Sequence, residues 1–187
     1  MILQHLKTRT ATLHKETEAD NLAKYILDHS ITLDQYKALL SQNYQAYYTL
    51  SELSKQFSGS MPDSLRVFAD PKKAEALEKD LKQLGASLPS KLNESLPNEI
   101  NYPFLLGMLY VAEGSMMGGL LIRKNLENCE GINTIETHHF FGKSAPDVMN
   151  RWKAFTEAVN EKTYTDSEID EAVDGAYFAF EIFQKAY

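Results

Sequence analysis

Residues 102–126 read YPFLLGMLYVAEGSMMGGLLIRKNL, and this stretch decides the fold. Phe104, Leu105, Met108, Leu109, Val111 and Ala112, then Leu120, Leu121, Ile122 and Leu126, recur at helical spacing and predict one long helix over 102–126. Inside it stands Gly114-Ser115-Met116-Met117-Gly118-Gly119. A glycine in a helix interior costs about 1 kcal/mol relative to alanine. Three together put the local penalty at roughly 3 kcal/mol, against a net domain stability of about 5–15 kcal/mol. What they provide is bare backbone, on which a flat or bulky group can lie directly and at which the helix can bend. The competing explanation is packing, since glycines four apart also let two helices approach closely.

The same spacing recurs outward along the chain, and β-branched alternation is almost absent, so the class is all-α. A first helix is predicted over 2–18, with Leu3, Leu6, Thr10, Leu13 and Thr17 as its stripe, and a short one over 21–28. Thr32 or Asp34 caps a long helix to about Phe57, with Tyr36, Leu39, Leu40, Tyr44, Tyr47, Leu50 and Leu53 inward. Asp70-Pro71 opens another, with proline at its first position, ending near Gly85. Residues 87–101 hold two prolines and predict a loop with a single turn; 131–144 predict irregular structure. Ala145-Pro146 opens a helix carrying Val148, Met149, Trp152, Phe155 and Val159, and Asp166 or Thr165 caps a last one to about Lys185. No stretch has the composition of a linker, so one compact domain of seven or eight helices is expected over 1–187.

Composition narrows the function. A net charge of −7 and a pI near 5.2 leave no basic stripe for phosphates, so no nucleic-acid partner is expected. A single cysteine, Cys129, excludes an internal disulfide and any CxxC site, which fits a reducing cytoplasm. The N-terminus lacks the apolar core of a signal peptide. Apolar runs are broken by Glu, Gly or Lys before about 18 residues, so neither a transmembrane helix nor a membrane partner is expected.

The first predicted helix carries Lys7, His14 and Glu18. Lys7 and His14 stand two turns, roughly 10.5 Å, apart on one face. Glu18 lies one further turn on, placed to hold the second ring nitrogen of a metal-ligating histidine. Alone, such a histidine is ordinary, and His14–Glu18 is an ordinary helical pair worth a few tenths of a kcal/mol. Taken with the glycine helix, the two form walls of one slot: an axial ligand on one side and bare backbone on the other, which suits haem.

Residues 6–18, LKTRTATLHKETE, resemble the proximal-helix motif of the haem oxygenases, and residues 110–119, YVAEGSMMGG, resemble their distal-helix motif. The nearest pattern is the bacterial, bacteriophytochrome-linked type. Ile31-Thr32-Leu33-Asp34-Gln35-Tyr36, with Tyr44 and Tyr47, is similar to the family's second long helix. The resemblance implies the haem-oxygenase fold and cleavage of haem, as cofactor and substrate, to biliverdin, CO and Fe2+. O2 and an external electron donor (ferredoxin, flavodoxin or a reductase) are implied with it. It implies His14 as iron ligand through Nε2, with Glu18 holding the imidazole, and Gly114 and Gly118 against the distal haem face with Gly119 supporting a kink. Lys7, Tyr110 and Lys153 match propionate-binding positions, and Tyr47 a tyrosine that orders water. Ser115 stands where the animal enzymes carry an aspartate, and Glu157 where they carry a propionate-binding arginine.

Three other functions compete. A non-catalytic haem carrier on the same fold shares His14. A di-iron oxygenase needs two Glu-x-x-His motifs, and only Glu136-Thr137-His138-His139 is present; His138 and His139, like His5 and His29, are expected at the surface. A phosphate loop lacks its lysine and its preceding strand.

Overall fold

The computed structural model describes residues 1–93 and 100–187, and among these every regular element is helical. In chain order they are α1 (Ile2–Arg9), α2 (Ala11–Asp20), α3 (Lys24–Leu27), α4 (Leu33–Gln56), α5 (Asp63–Arg66), α6 (Lys72–Gln83), α7 (Tyr102–Leu126), α8 (Ala145–Asn160) and α9 (Asp166–Ala186). Single 3-10 turns lie at Ser58–Ser60 and Glu130–Ile132. The single turn expected in the loop 87–101 falls partly on 94–99, outside the described residues.

The starts follow local chemistry. Thr32 and Thr165 each close a capping box, with Gln35 and Glu168 respectively, so α9 is capped by Thr165 and not Asp166. Asn101 accepts from the Phe104 amide, and Pro103 fills the first turn of α7, where an amide would have no partner. Pro71 is the residue before α6 rather than its first.

The first predicted helix is two. At Thr10 the backbone turns to φ −97°, ψ 0°, and its hydroxyl donates to the Leu6 carbonyl at 2.8 Å. Lys7 therefore lies on α1 and His14 on α2, and the expected alignment along one straight helix does not hold. The second helix shortens to α3. Between α4 and α6 an additional short helix, α5, buries Leu65 beside Met61.

The 138–142 turn is pinned from inside. Buried Asp80 accepts from the amides of His139 (2.7 Å) and Phe140 (2.9 Å) and from His139 Nδ1 (2.9 Å). His138 Nδ1 meets the buried Tyr36 hydroxyl at 2.6 Å, and burial holds its imidazole pKa below the usual range. Both histidines are half-buried loop anchors, not surface residues, while His5 and His29 are exposed. No three His, Cys, Asp or Glu side chains are grouped to hold a metal among the described residues.

The core is organised by α7 against α9. A Cβ on Gly107 would lie 1.8 Å from the Ala172 carbonyl oxygen, and one on Gly175 would lie 1.9 Å from that of Phe104. The two backbones touch there. Helix packing through glycine is thus real in this chain, but Gly107 and Gly175 carry it, not Gly114, Gly118 or Gly119. Contrary to the expectation that Glu, Gly and Lys break the apolar runs too early, α7 is by length and composition apolar enough to cross a membrane, because its glycines and one carboxylate weaken the run only slightly. In the fold it is a central helix packed by α3, α4, α8 and α9.

Two glycine substitutions are expected to diverge. Gly107→Ala forces the helices apart and should cost about 1–3 kcal/mol or more. Gly118→Ala meets nothing within 4 Å and should stabilise the ligand-free protein by roughly 0.5–1 kcal/mol. Urea denaturation of both variants checks this; equal effects would refute the assignment of packing to Gly107.

Candidate active site

Helix α9 packs against both α2 and α7, and an aromatic stripe along it meets His14 and Tyr47. Phe180, Phe183 and Tyr187 are spaced three and four apart and share a face. The Phe180 ring meets His14 edge-on, with centroids 5.6 Å apart at 66°. The Phe183 ring meets Tyr47 at 5.1 Å and 83°. The Tyr187 hydroxyl bonds the Asn21 side chain beside Tyr47 and Glu18, and burial drives its pKa well up. His14 and Tyr47, 33 positions apart in sequence, thus stand on neighbouring turns of a common base.

His14 keeps 53% of its side chain exposed, as an accessible ligand must. Its Nε2 lies 3.5 Å from Glu18 Oε1, longer than a good hydrogen bond. The expected pair is present, but with Nε2 facing the carboxylate.

On α7 the Ser115 hydroxyl lies 2.5 Å from that of Tyr47 and donates to the Ala112 carbonyl at 3.0 Å. With its single proton committed there, Ser115 accepts from Tyr47. Tyr47 is 5% exposed, and burial raises its phenol pKa far more than the Ser115 contact lowers it. It stays a neutral donor with oxygen lone pairs left over.

The glycines are not equivalent. A Cβ on Gly118 would meet nothing within 4 Å, and one on Gly119 only the Phe141 ring at 4.0 Å. Met117 and Leu121 beside them are 37% and 54% exposed, an apolar margin around bare backbone. Gly114 is instead covered by the Trp152 indole, 3.6 Å from where its Cβ would be. The helix runs through all three without interruption.

The three expected propionate residues do not touch one another. Lys7 is exposed on α1. Lys153 on α8 lies 3.7 Å from Glu157. Tyr110 is half-buried, 6.0 Å from the Trp152 ring centroid, and burial raises its pKa.

Sequence reasoning missed Trp152, the α9 stripe and Glu113. A single carboxylate inside the most apolar helix was the available signal, because such a group is buried only with partners. Glu113 is 3% exposed. Its Oε1 accepts from Lys73 Nζ at 2.5 Å and Arg151 Nη2 at 2.8 Å, and its Oε2 from Arg151 Nε at 2.7 Å. Asp70 Oδ2 accepts from Arg151 Nη1 at 3.0 Å.

With this geometry in place, comparison with known proteins is informative. The family model described as heme oxygenase matches residues 1–187. A heme oxygenase from Neisseria meningitidis, solved in NO- and CO-bound forms, is similar in fold, with a TM-score of 0.72 and 24% identity over 100% of this chain and 89% of that one. No curated protein matches the sequence.

Removing the hydroxyl of Ser115 leaves the buried Tyr47 donor without its oxygen acceptor. Ser115→Ala is expected to lower stability by about 1–3 kcal/mol, and Ser115→Ala combined with Tyr47→Phe by less than the sum of the single changes. A double-mutant cycle measured by denaturation reads the coupling; strict additivity would show that the pair does not interact.

Proposed function

This chain belongs to the haem oxygenase family, and from that premise we propose that it opens the haem ring, with O2 and electrons from an external donor, to yield biliverdin, CO and Fe2+. One observation carries the proposal: α9 brings an accessible histidine, a buried tyrosine–serine hydroxyl pair and the helix with the bare Gly118 backbone into one structure. A flat apolar ligand needs a surface without side chains, and Gly118, rimmed by Met117 and Leu121, offers it. When bound, haem supplies the iron that activates O2 and is itself the substrate.

The chain's own residues then divide the work. His14 would hold the iron through Nε2, with Glu18 one turn away to brace the imidazole. Gly118 and Gly119 let α7 approach the opposite face, and Trp152, lying over Gly114, borders it. Tyr47 and Ser115, paired through their hydroxyls, would order the water that delivers a proton. Because Tyr47 stays neutral, it holds that water without adding negative charge to an apolar site. Lys7, Tyr110 and Lys153 meet the propionates, Lys153 by leaving Glu157. Serine at position 115 is the pattern of the bacteriophytochrome-linked enzymes, and the proposal extends to that type. Ferredoxin, flavodoxin or a reductase supplies the electrons.

Haem titration tests this. The wild type should show a histidine-ligated Soret band, and haem should quench the fluorescence of Trp152, the single tryptophan. His14→Ala should lose the axial-ligand spectrum while retaining quenching at higher haem. On adding a reductant in air, the wild-type Soret band should decay as biliverdin absorption rises. An unchanged spectrum would identify a haem carrier, and a His14→Ala spectrum identical to the wild type would refute His14 as ligand.

A further inference from the structure

Glu113 and Ser115 leave α7 in nearly opposite directions. At about 100° per residue, and taking Glu113 as zero, Gly114 points near 100°, Gly118 near 140° and Ser115 near 200°. The glycine face lies between the two side chains. On one side Glu113 is gripped by Lys73 from α6 and Arg151 from α8, with a bidentate guanidinium contact that Asp70 in turn braces. On the other side Ser115 is gripped by Tyr47 from α4. Between them Gly114 and Gly118 have no side chains with which to hold the helix, and Gly119, at about 240°, lies just past Ser115.

The ion cluster is not explained as a source of stability. A buried ion pair stabilises little over apolar residues of the same volume. Lys73 moreover places a cation in the first turn of α6, the end where the helix dipole disfavours it. Burial holds the Lys73 amine pKa below its usual range even though Glu113 pushes it up. Lys143 approaches the same cluster and is held down by burial, then by Lys73 and Arg151. Arg151 precedes Trp152, so the contact that holds Glu113 also sets the indole over Gly114.

We propose that Glu113, Lys73 and Arg151 are positioning residues that, with Tyr47–Ser115, clamp the rotation of α7 about its axis and so aim the bare glycine face into the site. This rests on the haem reading for its purpose, but the clamp itself is a property of the ligand-free protein. Glu113→Leu combined with Lys73→Met replaces the pair by apolar groups and leaves Arg151 bonded to Asp70.

The double variant is expected to keep its melting temperature while amide hydrogen exchange over 114–119 speeds up at least about tenfold and that over 104–109 does not. Haem affinity should stay within about threefold while kcat falls about 10- to 100-fold, the cost of a small misplacement. Lys73→Arg alone, with Glu113 in place, should keep both readouts at their wild-type values. If the double variant does not fold, Glu113→Gln is read the same way. Wild-type exchange over 114–119, or losses of exchange protection and kcat that only follow melting temperature, would overturn the clamp. Failure of the wild type to bind haem would overturn the functional reading and leave the exchange result to decide the clamp.

Discussion

Two backbones in contact govern this fold. Where α7 crosses α9, the Ala172 and Phe104 carbonyl oxygens occupy the space that a side chain at Gly107 or Gly175 would need. No other residue type allows that approach without separating the helices. The crossing fixes how far α9 lies from α7, and α9 is also what α1, α2 and α4 pack against. Its aromatic stripe can then touch His14 with Phe180 and Tyr47 with Phe183. A helix spacing larger by one methyl group would move both walls of the site at once, because interiors are packed too densely to absorb the change.

One turn of α7 gathers polar partners from α4, α6 and α8. Glu113 and Ser115 are two residues apart, and each is engaged by a different neighbouring helix. The ionic side faces α6 and α8, and the hydroxyl side faces α4. Tyr47 and Lys73 line the same small gap, with Ser51, Ser54 and Asp70, so the two sides lie close together behind the glycine face. Desolvation makes each of these groups expensive to leave unpaired, which turns a few hydrogen bonds into a strict specification of where α7 may sit.

Much of this was legible in the sequence. Helical spacing gave the class and the span of α7, candidate capping residues bracketed the starts of α4 and α9, and Pro146 marked that of α8. The glycine cluster and His14 lie on α7 and α2, both of which pack against α9. What escaped has physical reasons. The break at Thr10 comes from a hydroxyl bonding back to Leu6, a local choice that period counting does not register. Gly107 was overlooked because an isolated glycine in an apolar helix looks like a tolerated cost; only its distance to another helix reveals its use. His138 and His139 seemed superficial because their partners, Tyr36 and Asp80, lie far away in sequence. Trp152 and the α9 aromatics looked like generic core for the same reason.

The glycines of α7 serve two opposed purposes, and the difference is measured by what surrounds each one. Around Gly107 the space is full, and the missing side chain lets the fold close. Around Gly118 the space is open, and the missing side chain contributes nothing to the ligand-free fold. An alanine there would strengthen the helix, so folding alone gives no reason for glycine at 118. A residue that weakens a helix, leaves an apolar margin exposed and fills no contact is accounted for by a ligand that comes to lie on it. That inference needs no knowledge of the ligand beyond its shape, and the proposed function adds His14 on α2, reached through α9, as the group that would meet a metal carried by a flat ligand.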